Sequence, residues 1–374
     1  MICTPARSGE AVPMLRPIDL GAGVRIATPV ILAPMSGVTD LPFRRLVRAQ
    51  GAGLVVSEMI ASQAMIRENR QTLKMAEVEP AEGPDRPSSV QLAGCEPAVM
   101  AEAARMVADR GAAIVDINFG CPVKKIAIGQ QAGSALMRDE VHAARILEAT
   151  VKAVPDRPVT LKMRMGWDHA SLNAPRLARI AEECGVRMVT VHGRTRQQFY
   201  SGKADWDFIR RVKEAVSIPV IANGDIVTPE DAAEALRRSG ADGVMIGRGC
   251  YGRPWFPRQV ADYLRTGVVP EEPPLAEQLA ILLGHFRAML AHHGAQAGVR
   301  VARKHLAWYS RGLPGSAEFR VAVNRAETPE AAERLILDFY GPLIERGVAA
   351  VRAGFAARGA AAEAEAGEEE RWAA

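Results

Sequence analysis

The chain predicts an α/β fold, a closed (β/α)8 TIM barrel followed by a small all-helical domain, on three observations. Eight short apolar runs alternate with helical patterns between residues 30 and 250. The runs are nearly continuous in apolar character, as strands covered on both faces of a parallel sheet must be. After Trp255 the apolar spacing becomes helical alone. Eight such units in about 220 residues suit a closed barrel better than an open sheet.

The elements follow in order. Residues 1–29 form an N-terminal segment in which "RPIDLGAGVRIATP" reads as a short hairpin plugging the bottom of the barrel. The barrel is expected over 30–260. Its runs are "VILAPMSG" (30–37), "GLVVSEMI" (53–60), "SSVQLAG" (88–94), "AAIVDINFG" (112–120), "VTLKMRMG" (159–166), "RMVTVHG" (187–193), "PVIANGDI" (219–226) and "GVMIGRG" (243–249). Between them lie helices such as "TPEDAAEALRRSG", with Thr228 as N-cap, Pro229 at the first helical position and Gly240 as the stop. Pro270, Pro273 and Pro274 mark a linker into a helical domain over 270–352. There Leu275, Leu279, Leu282, Phe286 and Leu290 share one helix face, and Val299, Ala302, Leu306 and Tyr309 another. Segments opening at Ser316 and at Thr328–Pro329 complete it. An acidic tail, 353–374, is expected to be disordered.

Composition narrows the function. No apolar run reaches the roughly 18 residues that span a membrane, and "MICTPARSGE" lacks the pattern of a secretory signal. The five cysteines are scattered without C-x-x-C spacing, which argues against a disulfide framework and against a metal site. A reducing cytoplasm is the simplest setting. The net charge of +4 includes five Glu and one Arg in residues 361–374, so the body before them carries +8. That excess is compatible with a polyanionic partner and equally with ordinary surface charge.

A barrel of this kind builds its site at the C-terminal ends of its strands. Those ends carry Ala33, Pro34 and Met35; Glu58; Gln91; Asn118 with Cys121; Lys162 with Arg164; His192 with Arg194; Asn223, Gly224 and Asp225; and Gly247 with Arg248. Polar groups at nearly every end of apolar strands imply a polar ligand, since burial without partners is costly. Taken singly, His192 could be a hydrogen-bonded structural histidine and Lys162 a snorkelling strand terminus. Cys121 stands between Gly120 and Pro122, on a turn rather than inside a strand, where a thiol meets whatever fills the mouth. The glycines of "ANGDI" and "MIGRG" sit in the last two loops, where such barrels commonly hold phosphate. Lys162 between phosphate loop and thiol suits an FMN whose N1/O2 edge needs positive charge, with Gln91 at the opposite polar edge. No G-x-G-x-x-G follows a strand in a βαβ unit, so a tightly held nicotinamide dinucleotide is not expected.

Together "LAPMSGVTDLPFRRL", "DINFGCPVKKIAIGQQAGSALMRD", "LKMRMGWD", "VHGRTRQQFYSGKADWDFI", "PVIANGDI" and "MIGRG" resemble the tRNA-dihydrouridine synthases. "RKHLAWYSRGLPGSAEFR" resembles their bacterial B-type (DusB-like) subgroup. The resemblance runs from about residue 16 to 350 in unbroken order. It implies reduction of the C5–C6 double bond of particular D-loop uridines in tRNA, with FMN recharged by NADPH. Hydride would pass from FMN N5 to C6, and Cys121 would protonate C5. A thiol near its ordinary pKa of about 8.5 is protonated at pH 7 and can donate. The resemblance further makes Ala33, Pro34, Met35, Gln91, Lys162, Asn223, Gly224, Asp225, Gly247 and Arg248 the FMN cradle, with His192 beside it and Asn118 and Arg194 holding the uracil. The target base must leave its helix to enter a barrel. The rest of the tRNA would then rest on Lys124 and Lys125 and on the helix face of Arg300, Arg303, Lys304 and Arg311. Two rivals stay open. One is an FMN enzyme reducing a free pyrimidine, of the dihydroorotate or dihydropyrimidine type. The other is a non-catalytic RNA-binding protein that keeps the barrel as scaffold.

Overall fold

A computed structural model describes residues 12–78 and 85–348; the expected acidic tail lies outside the described residues. Two short strands, β1 (Ile18–Asp19) and β2 (Arg25–Ile26), pair antiparallel as a hairpin. Eight more form a closed parallel barrel: β3 (Val30–Leu32), β4 (Leu54–Ala61), β5 (Ser88–Ala93), β6 (Ile114–Phe119), β7 (Val159–Arg164), β8 (Met188–His192), β9 (Val220–Asn223) and β10 (Gly243–Ile246). Neighbours follow chain order, and β10 closes the ring on β3. Each of the eight apolar runs holds one strand, and all but β4, which continues one residue past its run to Ala61, stop short of the run's end, where the final residues leave the ladder to form the mouth.

The barrel wall has two faces with different chemistry. Outward-facing Ile117, Phe119, Leu161, Met163, Val189 and Val191 are fully buried against the surrounding helices. The alternate, inward positions of the same strands are polar toward the C-terminal end: Asp116 and Asn118, Thr160, Lys162 and Arg164, Thr190 and His192. At the other end Ile31, Leu54, Ile114, Met188 and Ile221 turn inward near the strand starts and meet Ile18, Leu20 and Ile26 from the hairpin. Burying each of those three side chains contributes about 1.5–3 kcal/mol. The barrel is therefore sealed below and polar above.

The helix Pro229–Ser239 shows how local sequence fixes an element. Thr228 Oγ1 accepts from Asp231 N at 3.1 Å, Asp231 accepts from Thr228 N at 2.8 Å, and Gly240 ends the helix at φ 64°. Past the barrel, helices Leu275–His293, Ala295–Tyr309, Ser316–Arg325 and Pro329–Glu345 enclose their own core, which includes Leu282, Phe286, Val299, Ala302, Leu306, Tyr309, Ile336 and Tyr340. Gly315, at φ 76°, is the N-cap of the third helix, and Ser316 is its first residue. A polar seam joins this unit to the barrel. His293 Nε2 lies 2.7 Å from Asp40 Oδ2, Lys304 Nζ donates to the Gly37 carbonyl, and Trp308 stacks on Tyr251 at 3.9 Å. His285 and His305 are buried in the same seam against Phe43. Among the described residues no helix is long and apolar enough to cross a membrane.

Candidate functional site

Strand register assembles the site. It sets Gln91 beside Asp116, Asn118 beside Lys162, Arg164 beside His192, and His192 beside Asn223. Residues far apart in the chain thus become inward-facing neighbours at one end of the barrel.

A hydrogen-bond relay fixes the turn that carries Cys121. Thr160 Oγ1 donates to Asp116 Oδ1 at 2.5 Å, and Gln91 Nε2 donates to Asp116 Oδ2 at 2.6 Å. Asn118 Nδ2 donates to Gln91 Oε1 at 2.7 Å. Asn118 Oδ1 then accepts from Gly120 N at 3.0 Å and Cys121 N at 2.8 Å. Only this orientation of the two amides satisfies every group, because the Asp116 oxygens already accept a hydroxyl and an amide. On the other side Arg164 Nε donates to Gly120 O at 2.9 Å, and Ser134 Oγ to Cys121 O at 2.8 Å. Gly133 lies at φ 59°, and a Cβ there would stand 3.0 Å from Cys121 O, so a glycine is required for this approach. The thiol itself is half-buried. Burial pushes it above its ordinary value against the pull of the Val123 amide, Arg164 and Lys162, so it stays protonated at neutral pH.

Lys162 lies next to the thiol. Burial, with Arg164 alongside, pulls its ammonium down from 10.5 to about 8, opposed by Asp116. Lys162 makes no hydrogen bond or ion pair among the described residues, although Asp116 below it is buried and pushed up by desolvation. An unpaired, partly buried cation at the mouth of a barrel is a group waiting for an electron-rich ligand. That observation makes the site fit a flavin.

The next strand end is ordered differently from the sequence expectation. Arg194 is 2% exposed. Its guanidinium donates to Ser201 O, Gly202 O and Asp225 Oδ2 at 3.1, 2.7 and 2.6 Å, and to His192 Nε2 at 3.3 Å. These bonds commit its donors to the loop and to Asp225 and His192. Because an arginine can only donate, His192 Nε2 must accept, which leaves the proton on Nδ1. Burial, then the charges of Arg164 and Lys162, keep His192 neutral, well below its ordinary value. The carboxylate of Asp225 is likewise occupied, by Arg194 and by Ala204 N at 2.7 Å. Asn223 Nδ2 donates to Met245 O at 2.8 Å. Asn223 and Asp225 thus build the wall, and backbone groups around Gly224 and Gly247 are what it offers to a ligand. Met35, after β3, lies against Gly247, while Ala33 and Pro34 complete that side. Arg248 stands 4.9 Å over the Tyr200 ring, with Arg164 at 5.6 Å from the same ring.

The basic residues expected to meet nucleic acid divide. Lys124 and Lys125 are exposed where a π-helical turn begins, immediately after the Cys121 turn, and Arg300 is exposed on its helix. Arg303 instead donates to Ala326 O at 2.8 Å, and Lys304 reaches into the seam beside Glu58, whose carboxyl accepts from Gly37 N. Those two hold the fold together, because a neighbouring helix and a barrel loop cover the side of the helix that periodicity alone assigns to solvent. Asp116, Thr160, Ser134 and Tyr200 were not foreseen. Asp116 had a signal, a charge in the middle of an apolar strand.

Residues 31–340 match the family described as Dihydrouridine synthase (Dus). The chain is 58% identical over 322 residues to a "Probable tRNA-dihydrouridine synthase" of Rickettsia conorii, covering 86% of this chain and 96% of that protein. It is 54% identical over 319 residues to "tRNA-dihydrouridine synthase B" of Xanthomonas campestris pv. campestris, covering 85% and 95%. Among solved structures, histamine dehydrogenase from Rhizobium sp. 4-9 superimposes with a TM-score of 0.54 at 11% identity, over 90% of this chain and 65% of that one, a likeness of fold alone.

Proposed function

The chain belongs to the dihydrouridine synthase family, and from that premise we propose that it reduces the C5–C6 double bond of D-loop uridines in tRNA in the cytoplasm. FMN is the resident cofactor and NADPH the reductant that recharges it. When bound, reduced FMN supplies the hydride, from N5 to C6 of the uracil. Everything else is the work of this chain's side chains.

Cys121 donates the proton to C5, and the thiolate regains a proton from solvent. The observation that carries this reading is the Cys121 turn fixed from both sides, with its thiol raised by burial and Lys162 unpaired beside it. A thiol raised by burial is suited to giving a proton; a nucleophile would need the opposite shift. Lys162 places its charge at the electron-rich edge of the flavin ring. His192 would border the ring, with Gln91 beneath it in the relay, and Ala33, Pro34 and Met35 would bring backbone close to it. Gly224, Gly247 and Arg248 face the phosphate, with Asn223 and Asp225 holding their loops. Asn118 has one amide hydrogen left over from the relay for the uracil carbonyl. Residues 30–260 are the catalytic unit and 270–352 the tRNA-binding unit, with Lys124, Lys125 and Arg300 toward the tRNA backbone.

The test is a dihydrouridine map of tRNA from cells lacking the protein, complemented with wild type or with Cys121→Ala. Dihydrouridine lost at one or a few D-loop positions and restored only by wild type supports the proposal. An unchanged map, from a protein that still carries flavin and reduces free pyrimidines, would refute it.

A further inference from the structure

The loops after β7 and β8 join on the rim of the mouth. Arg196 N donates to Gly166 O at 2.9 Å and Gln197 N to Trp167 O at 3.0 Å. This pairing seats the Arg196 guanidinium 4.7 Å from the Trp167 ring centroid and 5.3 Å from that of Phe199. Arg196 is 9% exposed, and its Nε and Nη2 are buried without any hydrogen-bond acceptor. Nη1 is the nitrogen that keeps contact with solvent. Arg138, from the far end of the Cys121 loop, lies 4.8 Å from the same Trp167 ring and is itself exposed. Asp168 feels the charge of Arg138, but it already accepts from Ala170 N and Ser171 Oγ.

Two guanidiniums on one indole, one of them buried without an acceptor, is an arrangement that aromatic faces only partly offset. An anion reached by the solvent-facing Nη1 of Arg196 and by the exposed Arg138 guanidinium would balance this charge. Arg196 Nη1 can donate to one oxygen of a phosphate group while Arg138 takes another, each as a charge-assisted hydrogen bond. The position names which phosphate. Arg196 follows Thr195, whose carbonyl Arg164 holds at 2.9 Å, and the same Arg164 holds Gly120 beside Cys121. We infer that Arg196, stacked on Trp167 with Arg138 beside it, binds a backbone phosphodiester of a nucleotide flanking the uridine at Cys121. The inference rests on the tRNA reading above.

The experiment uses full-length, flavin-loaded protein and unmodified tRNA transcript, with Kd measured by anisotropy across a salt series. Arg196→Met is expected to weaken tRNA about tenfold and to lower the slope of log K on log salt by about one, with the loss appearing in KM rather than kcat. Arg196→Lys should recover the slope without the full affinity, and the exposed Arg138→Gln should weaken binding in the same direction. A wild-type Kd and slope in Arg196→Met would overturn the inference. So would a weaker Kd with an unchanged slope and a lowered Tm, the mark of a purely structural residue. Wild type that neither binds tRNA nor forms dihydrouridine would remove the tRNA reading itself, an outcome visible without any variant.

Discussion

On the proposed function, the charge of Lys162 governs how tightly the site takes FMN. Lowering an ammonium from 10.5 to about 8 corresponds to about 3 kcal/mol of cost for keeping it charged in the empty barrel. The folded state binds that proton more weakly than the unfolded chain. The cost is therefore fully present below pH 8 and disappears as pH rises toward 10.5. Flavin binding at neutral pH draws on this unbalanced charge. If only the protonated form binds FMN, about one molecule in ten still qualifies at pH 9, so Kd should rise about tenfold between pH 7 and pH 9. Lys162→Met should bind FMN more weakly at pH 7, lose the pH dependence, and make the flavin-free protein more stable at pH 7 by about 2–3 kcal/mol. Flavin fluorescence titration reads the first two effects and urea unfolding the third. The reasoning fails if Lys162→Met keeps the wild-type pH slope, or if the variant destabilises the flavin-free protein.

Three further outcomes follow from the geometry. Asn118→Ala removes the acceptor of two backbone N–H groups and leaves Gln91 Oε1 unpaired, so unfolding should show a loss of about 2–4 kcal/mol; under about 0.5 kcal/mol would contradict the relay. Gly133→Ala forces a side chain at φ 59° against Cys121 and should slow dihydrouridine formation about 10–100-fold in a single-turnover assay, while Tm falls by only a few degrees. In the seam, burial holds His285 down from 6.5 to about 4 and His305 well below 6.5. Their contribution to stability is present above pH 6.5 and lost below it, so denaturant unfolding at pH 4.5 should show His285 alone removing about 2.5 kcal/mol. Asp40 does not mask this. Burial pushes its carboxyl up, but the bond from His293, the charge of His305 and the bond from Phe43 N outweigh that and leave it at about 2, outside the window.

The barrel was legible because its evidence is periodic and redundant: eight apolar runs, each spaced by a helix, leave little choice of architecture. Cys121 and Lys162 stand out in the sequence for another reason, since a thiol on a Gly–Pro turn and a lysine near the end of an apolar strand are locally anomalous. Arg194 shows where such reading stops. Its place after a strand end points it at a ligand, yet the loop through Ser201 and Gly202 folds back to take its donors. Arg303 and Lys304 show the same limit: their bonds to Ala326 O and Gly37 O come from elements that one helix's periodicity cannot report. Asp116 was hidden in plain view, because its meaning depends on Thr160 and Gln91, which only the strand register brings to it.

The hairpin under the barrel has a consequence for kinetics. Among the described residues, Ile18, Leu20 and Ile26 close the floor, so the polar mouth is the way in. On the function proposed above, electron donor and electron acceptor use that same opening, and a folded RNA standing in it would exclude a dinucleotide. The two half-reactions must then alternate, each visitor leaving before the next arrives. Initial-rate plots against one substrate at fixed levels of the other should give parallel lines.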